Sequence, residues 1–510
     1  MNPSITVNQL KKPLVWENVA IAVLALFGVV LRLRQFLTGR SLWVDEAMLA
    51  LNILQRSFAG LFQQPMEYGQ SAPIGYVVSV KAFTLLLGDS EYALRFFSLL
   101  AGCAALALTI IIAKQWLDKT EAVIAVALFA CAPYLIYYSS EAKQYMGDVL
   151  VALLLLFLFL RMIQRQAAAR DFLLFGGAGA ILLWFSHPSV FVAAAVGSIL
   201  FLHYWIDKDR TRLLWTALCG AVWGFSLGVL YFVNLRHLAA SELLLDYWQS
   251  GFMQLDSAWF AKIWESLLKD PLSLQANPLI IFIIFVAGIV FLFRRDWRLG
   301  AVIVLPLLLS LVASGLHKYS LLGRMLLFAA PLFIVLLASG VNGLAKLVRN
   351  QYVAHGLRVL MAIYLLWGPL TVSLAEFVEP KTREHIKPTM EYLREFRKPG
   401  DTIYVYYNTG PAFRFYAPKY GMELEDTIIG ADHSADPEAY YAELDELDGR
   451  KRVWFIFSHV YELDEFNERD FILAYVDQLG EKVRKYRIRA TTVYLNNKTF
   501  DSNFEMTPKS

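Results

Sequence analysis

Long apolar runs separated by short polar connections fill the first 375 residues. Crossing a hydrocarbon core takes about 20 apolar residues, somewhat fewer when flanking side chains snorkel. Eleven segments meet that requirement: 18–38, 95–113, 121–138, 147–160, 172–186, 189–206, 213–234, 278–293, 299–316, 321–343 and 358–375. A twelfth run, 74–88 (IGYVVSVKAFTLLLG), is short and carries Lys81. Beyond residue 375 the pattern changes. IKPTMEYLREFRKPG reads as a helix ended by Pro-Gly, followed by a strand in DTIYVYY and a helix in GPAFRFYAPKY. KRVWFIFSHV predicts a second strand, FILAYVDQLGEKVRKY a helix and TTVYLNN a third strand. Helices alternating with strands predict a small parallel α/β domain. The expected fold is therefore mainly α: a polytopic membrane helix bundle of about 11 spans over 1–375, then a soluble α/β domain over 376–510.

Basic residues choose the topology, because cytoplasmic loops carry the excess of lysine and arginine. If 74–88 does not cross, one side holds sixteen of them in short connections, from Lys11, Lys12, Lys114 and Lys119 through Arg161, Arg165 and Arg170 to Lys346, Arg349 and Arg358. Letting 74–88 cross would swap every later loop and break that pattern. The reading is eleven spans in the inner (plasma) membrane, N-terminus cytoplasmic, with helices at about 41–90 lying along the outer face. The C-terminal domain is then periplasmic or extracellular. Chemistry on that face lacks nucleotide sugars and ATP, so a donor has to be delivered through the membrane.

Composition agrees. Of 510 residues, 57% are apolar and 18% charged, against about 25% charged in soluble domains. Residues 376–510 carry 25 acidic and 19 basic side chains, whereas 1–375 carry 19 and 28. That excludes one uniform domain and a disordered chain. Nothing in the charge pattern points to nucleic acid. Cys103, Cys131 and Cys219 lie in apolar runs and offer the polar tail no disulfide framework. The first apolar run leads into Arg32, Arg34 and Arg40 without a small-residue cleavage pattern, and reads as an uncleaved span.

Twelve of the nineteen acids in the first 375 residues fall on the outer side. SLWVDEAMLALNIL opens the first outer loop, with Asp45 and Glu46 just beyond the first span and Trp43 as an interfacial anchor. YYSSEAKQYMGD follows about a hundred residues later, where Glu141 and Asp148 flank Lys143 and Tyr145. Seven-residue spacing places that pair on one face if the region is helical. Ionisable groups at a membrane boundary cost desolvation energy and call for a reason. The competing readings are solvated loop acids and ordinary capping of the next span.

SLWVDEAMLALNI, QSAPIGYVVSVKAFTLLLGDSEYALRFFSLLAG and YYSSEAKQYMGD resemble the integral-membrane glycosyltransferases of the GT-C fold. Among these the resemblance is to bacterial members related to protein O-mannosyltransferases, aminoarabinose transferases and Rgt-type lipopolysaccharide glycosyltransferases. It covers most of 15–345, closely over the first 160 residues and loosely afterwards. It implies that Asp45 matches the first-loop acid that serves as general base, and Glu46 its acidic partner. Arg95 matches a recurring arginine, and Glu141 or Asp148 the second-loop acid. Ser71-Ala72-Pro73 stands where relatives have Pro-Pro or Lys-Pro-Pro, a departure that touches the donor-phosphate role of that motif. Further on, HKYSLLGRMLLFAAP is a partial match, with Arg324-Met325 ahead of Pro331.

The reaction so implied moves a sugar from a polyprenyl-phosphate donor to a lipid, polysaccharide or protein acceptor. A carboxylate taking the acceptor proton contributes about 10²–10⁴-fold, and the lipid phosphate calls for Arg or Lys donors. Arg95, Lys143, Lys318 and Arg324 are the candidates, with snorkelling the alternative for Arg324. Tyr145 and Tyr319 are candidate sugar or lipid contacts, set against the usual interfacial role of tyrosine. His187-Pro188 reads as a helix end. Should a divalent cation take part, the oxygen set Asp45, Glu46, Glu141 and Asp148 suits a hard ion; metal use stays open. The aromatic stretch 235–277, with Tyr247, Trp248, Trp259 and Trp264, contains GFMQLDSAWFAKIWESLL, which reads as an interfacial helix. Two other classes compete. A transporter or flippase of lipid-linked saccharide needs midplane ionisable groups and often internal repeats, whereas these acids sit at the boundary and no repeat is visible. A non-catalytic assembly subunit is the third, and the intact Asp45-Glu46 pair weighs against it.

Overall fold

The computed structural model describes residues 16–164, 167–236, 248–424, 427–447, 449–463, 466–480, 482–488 and 491–496. Lys11, Lys12, Arg165 and Tyr247 lie outside the described residues. The chain divides into two compact units. Met1–Thr38 joins Ser57–Pro380, and Gly39–Arg56 joins Lys381–Ser510. The segment expected as the first outer loop, with Asp45 and Glu46, thus belongs by its contacts to the C-terminal unit.

In the larger unit, nine helices among the described residues are long and apolar enough to cross a membrane: Trp16–Phe36, Glu91–Trp116, Tyr145–Gln164, Ser189–Ile206, Arg210–Leu235, Pro278–Arg295, Trp297–Gly315, Gly323–Lys346 and Gln351–Val378. The other two expected spans are shorter. One is the 14-residue helix Ala169–Leu182. The other breaks into Lys119–Cys131 and Pro133–Tyr138, with Ala132 extended between them.

Pro133 explains the break. A proline has no N–H to return to the carbonyl four residues back and disfavours helix at the residue before it. The carbonyls left open are filled from other helices. Arg32, fully buried, donates to Phe129 O at 3.2 Å and Ala130 O at 3.4 Å. Ser373 Oγ donates to Cys131 O at 2.6 Å. In hydrocarbon every backbone polar group needs an internal partner, so an arginine that sequence patterning treats as the flank of a span serves inside the bundle.

Tight helix contact rests on small residues. A β-carbon on Gly288 would lie 1.9 Å from Leu336 O, and one on Gly340 would lie 1.9 Å from Ile284 O, so Pro278–Arg295 and Gly323–Lys346 touch backbone to backbone. Nearer the ends of these helices, buried Glu121 takes a two-pronged contact from Arg295 at 2.7 and 2.8 Å and another from Asn342 at 2.7 Å. Asp118 alongside accepts from Lys346 at 2.6 Å, and that ammonium holds its carboxyl below the usual range.

Ile74–Leu87 is a 14-residue apolar helix entered from Pro73 and ended at Gly88, whose φ of 83° suits glycine. The interfacial helix expected from Gly251 begins later, at Ser257, because Asp256 caps it by accepting from Trp259 N at 2.8 Å.

The smaller unit is built on a five-stranded sheet in the order β2-β1-β3-β7-β6. β1 (Thr402–Val405), β2 (Thr427–Ile429) and β3 (Val453–Ser458) are parallel. A two-stranded hairpin, β4 (Glu462–Leu463) with β5 (Phe466–Asn467), leads into the helix Glu468–Leu479. β6 (Lys482–Ile488) and β7 (Thr491–Asn496) then add antiparallel strands beside β3. The three expected strands are present. The expected helix FILAYVDQLGEKVRKY is not continuous: it stops at Leu479 before Gly480, and KVRKYRI, paired antiparallel with Thr491–Asn496, forms β6. The sheet is consequently mixed where a parallel one was expected.

Candidate functional site

In the larger unit the polar side chains gather where Pro133–Tyr138 hands over to Tyr145–Gln164. Residues 139–144 are irregular and buried throughout, so the backbone is held by side chains. Ser98 Oγ donates to Glu141 O at 2.6 Å, with Lys143 O at 3.2 Å. Ser139 and Ser140 turn back onto Leu135 O and Tyr137 O at 2.5 and 2.9 Å. Glu141 therefore precedes the helix, and the shared helical face expected for Glu141 and Asp148 does not form. Both acids are nonetheless buried, Glu141 completely.

Lys143 Nζ donates to Gln70 Oε1, and Gln144 Nε2 donates to Ser71 O at 3.2 Å. These two contacts fasten the second acidic motif to the Gln70-Ser71-Ala72-Pro73 stretch that leads into Ile74–Leu87. Arg95 is buried in the second turn of Glu91–Trp116. Asp148, in the first turn of its helix, is hydrogen-bonded by Ser186, and its Oδ1 is buried with no hydrogen-bond partner among the described residues.

Arg324 is half-buried, its guanidinium 5.5 Å from the Tyr145 ring centroid and 5.6 Å from that of Trp248, a cation–π setting. Tyr319 donates to Met325 O at 2.7 Å and packs against Phe191 and Phe328. Burial pushes its hydroxyl well above the ordinary tyrosine range, and Asp148 adds to the shift. Lys318, its neighbour, is exposed. The structure thus brings together Lys143, Tyr145, Asp148, Tyr319 and Arg324 in one region, and leaves Lys318 at the surface. Gln70, Gln144 and Ser186 are contributors that sequence reasoning passed over, since neutral residues in loops carry no pattern.

In the smaller unit, Asp45 and Glu46 start the helix Val44–Gln55. Glu46, fully buried, reaches back to Trp43 N at 3.4 Å, the return half of a capping box. Leu42 N donates to Tyr416 Oη at 2.8 Å and Val44 N to Glu384 Oε2 at 3.3 Å. Glu384 also accepts from Ser458 Oγ at 3.1 Å and pairs with His459 Nδ1 at 2.7 Å. The Glu384 carboxylate raises the His459 imidazole above its ordinary range, with Asp45 adding to the effect. Arg383 lies 4.1 Å from the Trp43 ring centroid. Among the described residues no three His, Cys, Asp or Glu side chains are grouped to hold a metal ion.

Structural comparison fixes the architecture. ArnT from Cupriavidus metallidurans in the apo state aligns with a TM-score of 0.56 at 14% identity, over 94% of this chain and 98% of that one. The same protein bound to undecaprenyl phosphate aligns equally well, at 13% identity. The chain has the GT-C fold. The archaeal oligosaccharyltransferase AglB from Archaeoglobus fulgidus, in complex with an inhibitory peptide and a dolichol-phosphate, shares this GT-C architecture more distantly. Its TM-score is 0.50 at 13% identity, over 94% of this chain and 74% of that one. Residues 71–231 match the family model described as dolichyl-phosphate-mannose-protein mannosyltransferase. Arg95, Glu141, Lys143, Tyr145 and Asp148 lie inside that GT-C segment; Asp45, Glu46, Lys318, Tyr319 and Arg324 lie outside it. No curated protein sequence matches the chain.

Proposed function

We propose that this membrane protein is a glycosyltransferase that moves a monosaccharide from a polyprenyl-phosphate carrier to an acceptor at the outer face of the inner (plasma) membrane. The observation that carries the reading is the burial of Arg95, Glu141, Lys143 and Asp148 at one end of an apolar GT-C bundle. Packed apolar helices alone give no reason to retain such groups. The lipid-phosphate ligands of the matching proteins, undecaprenyl phosphate and dolichol-phosphate, and the dolichyl-phosphate-mannose of the family description favour the same donor class.

In this reading Asp45 accepts the proton of the attacking acceptor group as the new glycosidic bond forms. The bond from the anomeric carbon to phosphate breaks, and the carrier leaves as a polyprenyl phosphate. Glu46 holds the start of the helix that carries Asp45. Arg95, Lys143 and Arg324 donate to the phosphate, in a low-dielectric setting where charge-assisted hydrogen bonds are strong; Lys318 meets it from the rim. Tyr145 and Tyr319 contact sugar or lipid, and Glu141 or Asp148 supplies the second acid. The basic connections favour a cytoplasmic N-terminus and an outer C-terminal domain.

The test is transfer in proteoliposomes from a panel of polyprenyl-phosphate sugars, wild type beside Asp45→Asn. Transfer by wild type with at least 100-fold loss in the variant supports the reading. Equal rates remove Asp45 as the base. No transfer by wild type from any donor overturns the enzyme reading.

A further inference from the structure

We propose that Glu384, at the entrance to the C-terminal unit, is a positioning residue for Asp45, so that this unit forms part of the catalytic apparatus. The inference rests on the reading of Asp45 as general base, and it gives the C-terminal unit a role that sequence patterning left open.

A helix begins with backbone amides that have no partner within it. At the helix that carries Asp45, side chains take three successive amides of the entry. Tyr416 accepts from Leu42 N, Glu46 from Trp43 N and Glu384 from Val44 N. Two of the three acceptors come from residues more than 300 positions away. Glu384 is the more constrained of these two. It is buried, and its second oxygen is held by His459, which itself stands in the left-handed region at φ 52°. That conformation is unfavourable for a non-glycine residue and has to be held by its surroundings.

The grip continues on both sides of Glu384. Arg383 covers the Trp43 ring, His385 Nδ1 lies 2.8 Å from Ser41 Oγ, and Lys387 Nζ donates to Gly39 O at 2.6 Å. Rotation or withdrawal of the helix start breaks all of these contacts together. Catalytic groups need tight placement, and an error of about 1 Å costs on the order of 100-fold in rate. Glu384 is the group whose loss frees the amide beside Asp45 while leaving the Asp45 carboxylate chemically unchanged.

Full-length wild type, Glu384→Ala, Glu384→Gln and Asp45→Asn are compared in the transfer assay, together with hydrogen exchange over residues 40–48. Glu384→Ala is expected to lower kcat at least tenfold with KM for the lipid donor changed less than twofold, and to speed exchange at the helix start. Glu384→Gln, which keeps an oxygen acceptor for Val44 N, is expected to recover most of kcat. Unchanged exchange in Glu384→Ala overturns the proposal. So does an unchanged kcat in that variant beside an inactive Asp45→Asn, an outcome that leaves the general-base reading standing. If Asp45→Asn is fully active, the general-base reading fails, and the exchange measurement still decides whether Glu384 holds the helix.

Discussion

Arg32 Nη2 lies 3.2 Å from the carbonyl oxygen of Phe129, the acceptor that Pro133, having no N–H, leaves open in the helix before it. One residue breaks a helix and another, about a hundred positions earlier, fills the gap. Replacing Arg32 by Met keeps most of the volume and removes the donors to Phe129 and Ala130. Each orphaned buried carbonyl costs about 1–3 kcal/mol. Thermal unfolding in detergent is expected to shift down by several degrees, and an unchanged melting temperature rejects the account.

Lys143 and Gln70 offer a second test, because their contact ties two of the three stretches that carry the family resemblance. Lys143→Met removes both the tether and a donor for phosphate, whereas Gln70→Leu removes only the tether. Transfer is expected to fall at least tenfold further in Lys143→Met than in Gln70→Leu. Equal losses would make Lys143 a strut with no phosphate role.

At the far end of the bundle, Arg295→Met strips the two-pronged partner from buried Glu121. Breaking a buried ion pair from one side costs about 3–5 kcal/mol. The further change Glu121→Gln is expected to return much of that stability, since no charge is then left buried. Unfolding of the single and double variants in the same detergent checks both steps.

Asp401 gives the C-terminal unit one contact that acid disrupts. Burial alone raises its pKa, but Arg452, the Lys398 amide and the Trp454 indole outweigh that and hold the carboxyl below its usual range. With the folded value depressed, the contribution is present above the unfolded pKa of about 3.9 and is lost as pH falls through the folded value. Asp401→Asn is therefore expected to destabilise by about 2 kcal/mol at neutral pH, with the gap to wild type closing in strong acid. A gap that widens in acid contradicts the assignment.

Much of this architecture is legible in the sequence because it depends on local periodicity. Nine of the eleven apolar runs are spanning-length helices, and IYV, VWFIF and TVYL read as strands without help. The failures come where a single residue interrupts a longer pattern. Ala132-Pro133 looks like a continuous run until the proline's missing donor is considered, and KVRKYRI looks like helix until Gly480 ends the one before it. Site residues divide in the same way. Asp45, Glu141 and Asp148 stand out because charge is rare in apolar surroundings. Gln70, Ser186 and Glu384 are ordinary in their own neighbourhoods and acquire meaning only through partners far along the chain.

The separation between Val44 and Glu384 is 340 residues, and chains are made from the N-terminus at about 5–20 residues per second. The first acidic segment therefore emerges roughly 20–70 s before the carboxylate that holds it is made. Through that interval the helix start has none of its contacts from residues 383–387. Ribosome stalling or truncation upstream of residue 384 would leave a membrane-inserted protein with its spans in place and its proposed base unseated. Catalytic maturation is in this sense a terminal event of synthesis, timed by the length of the polypeptide.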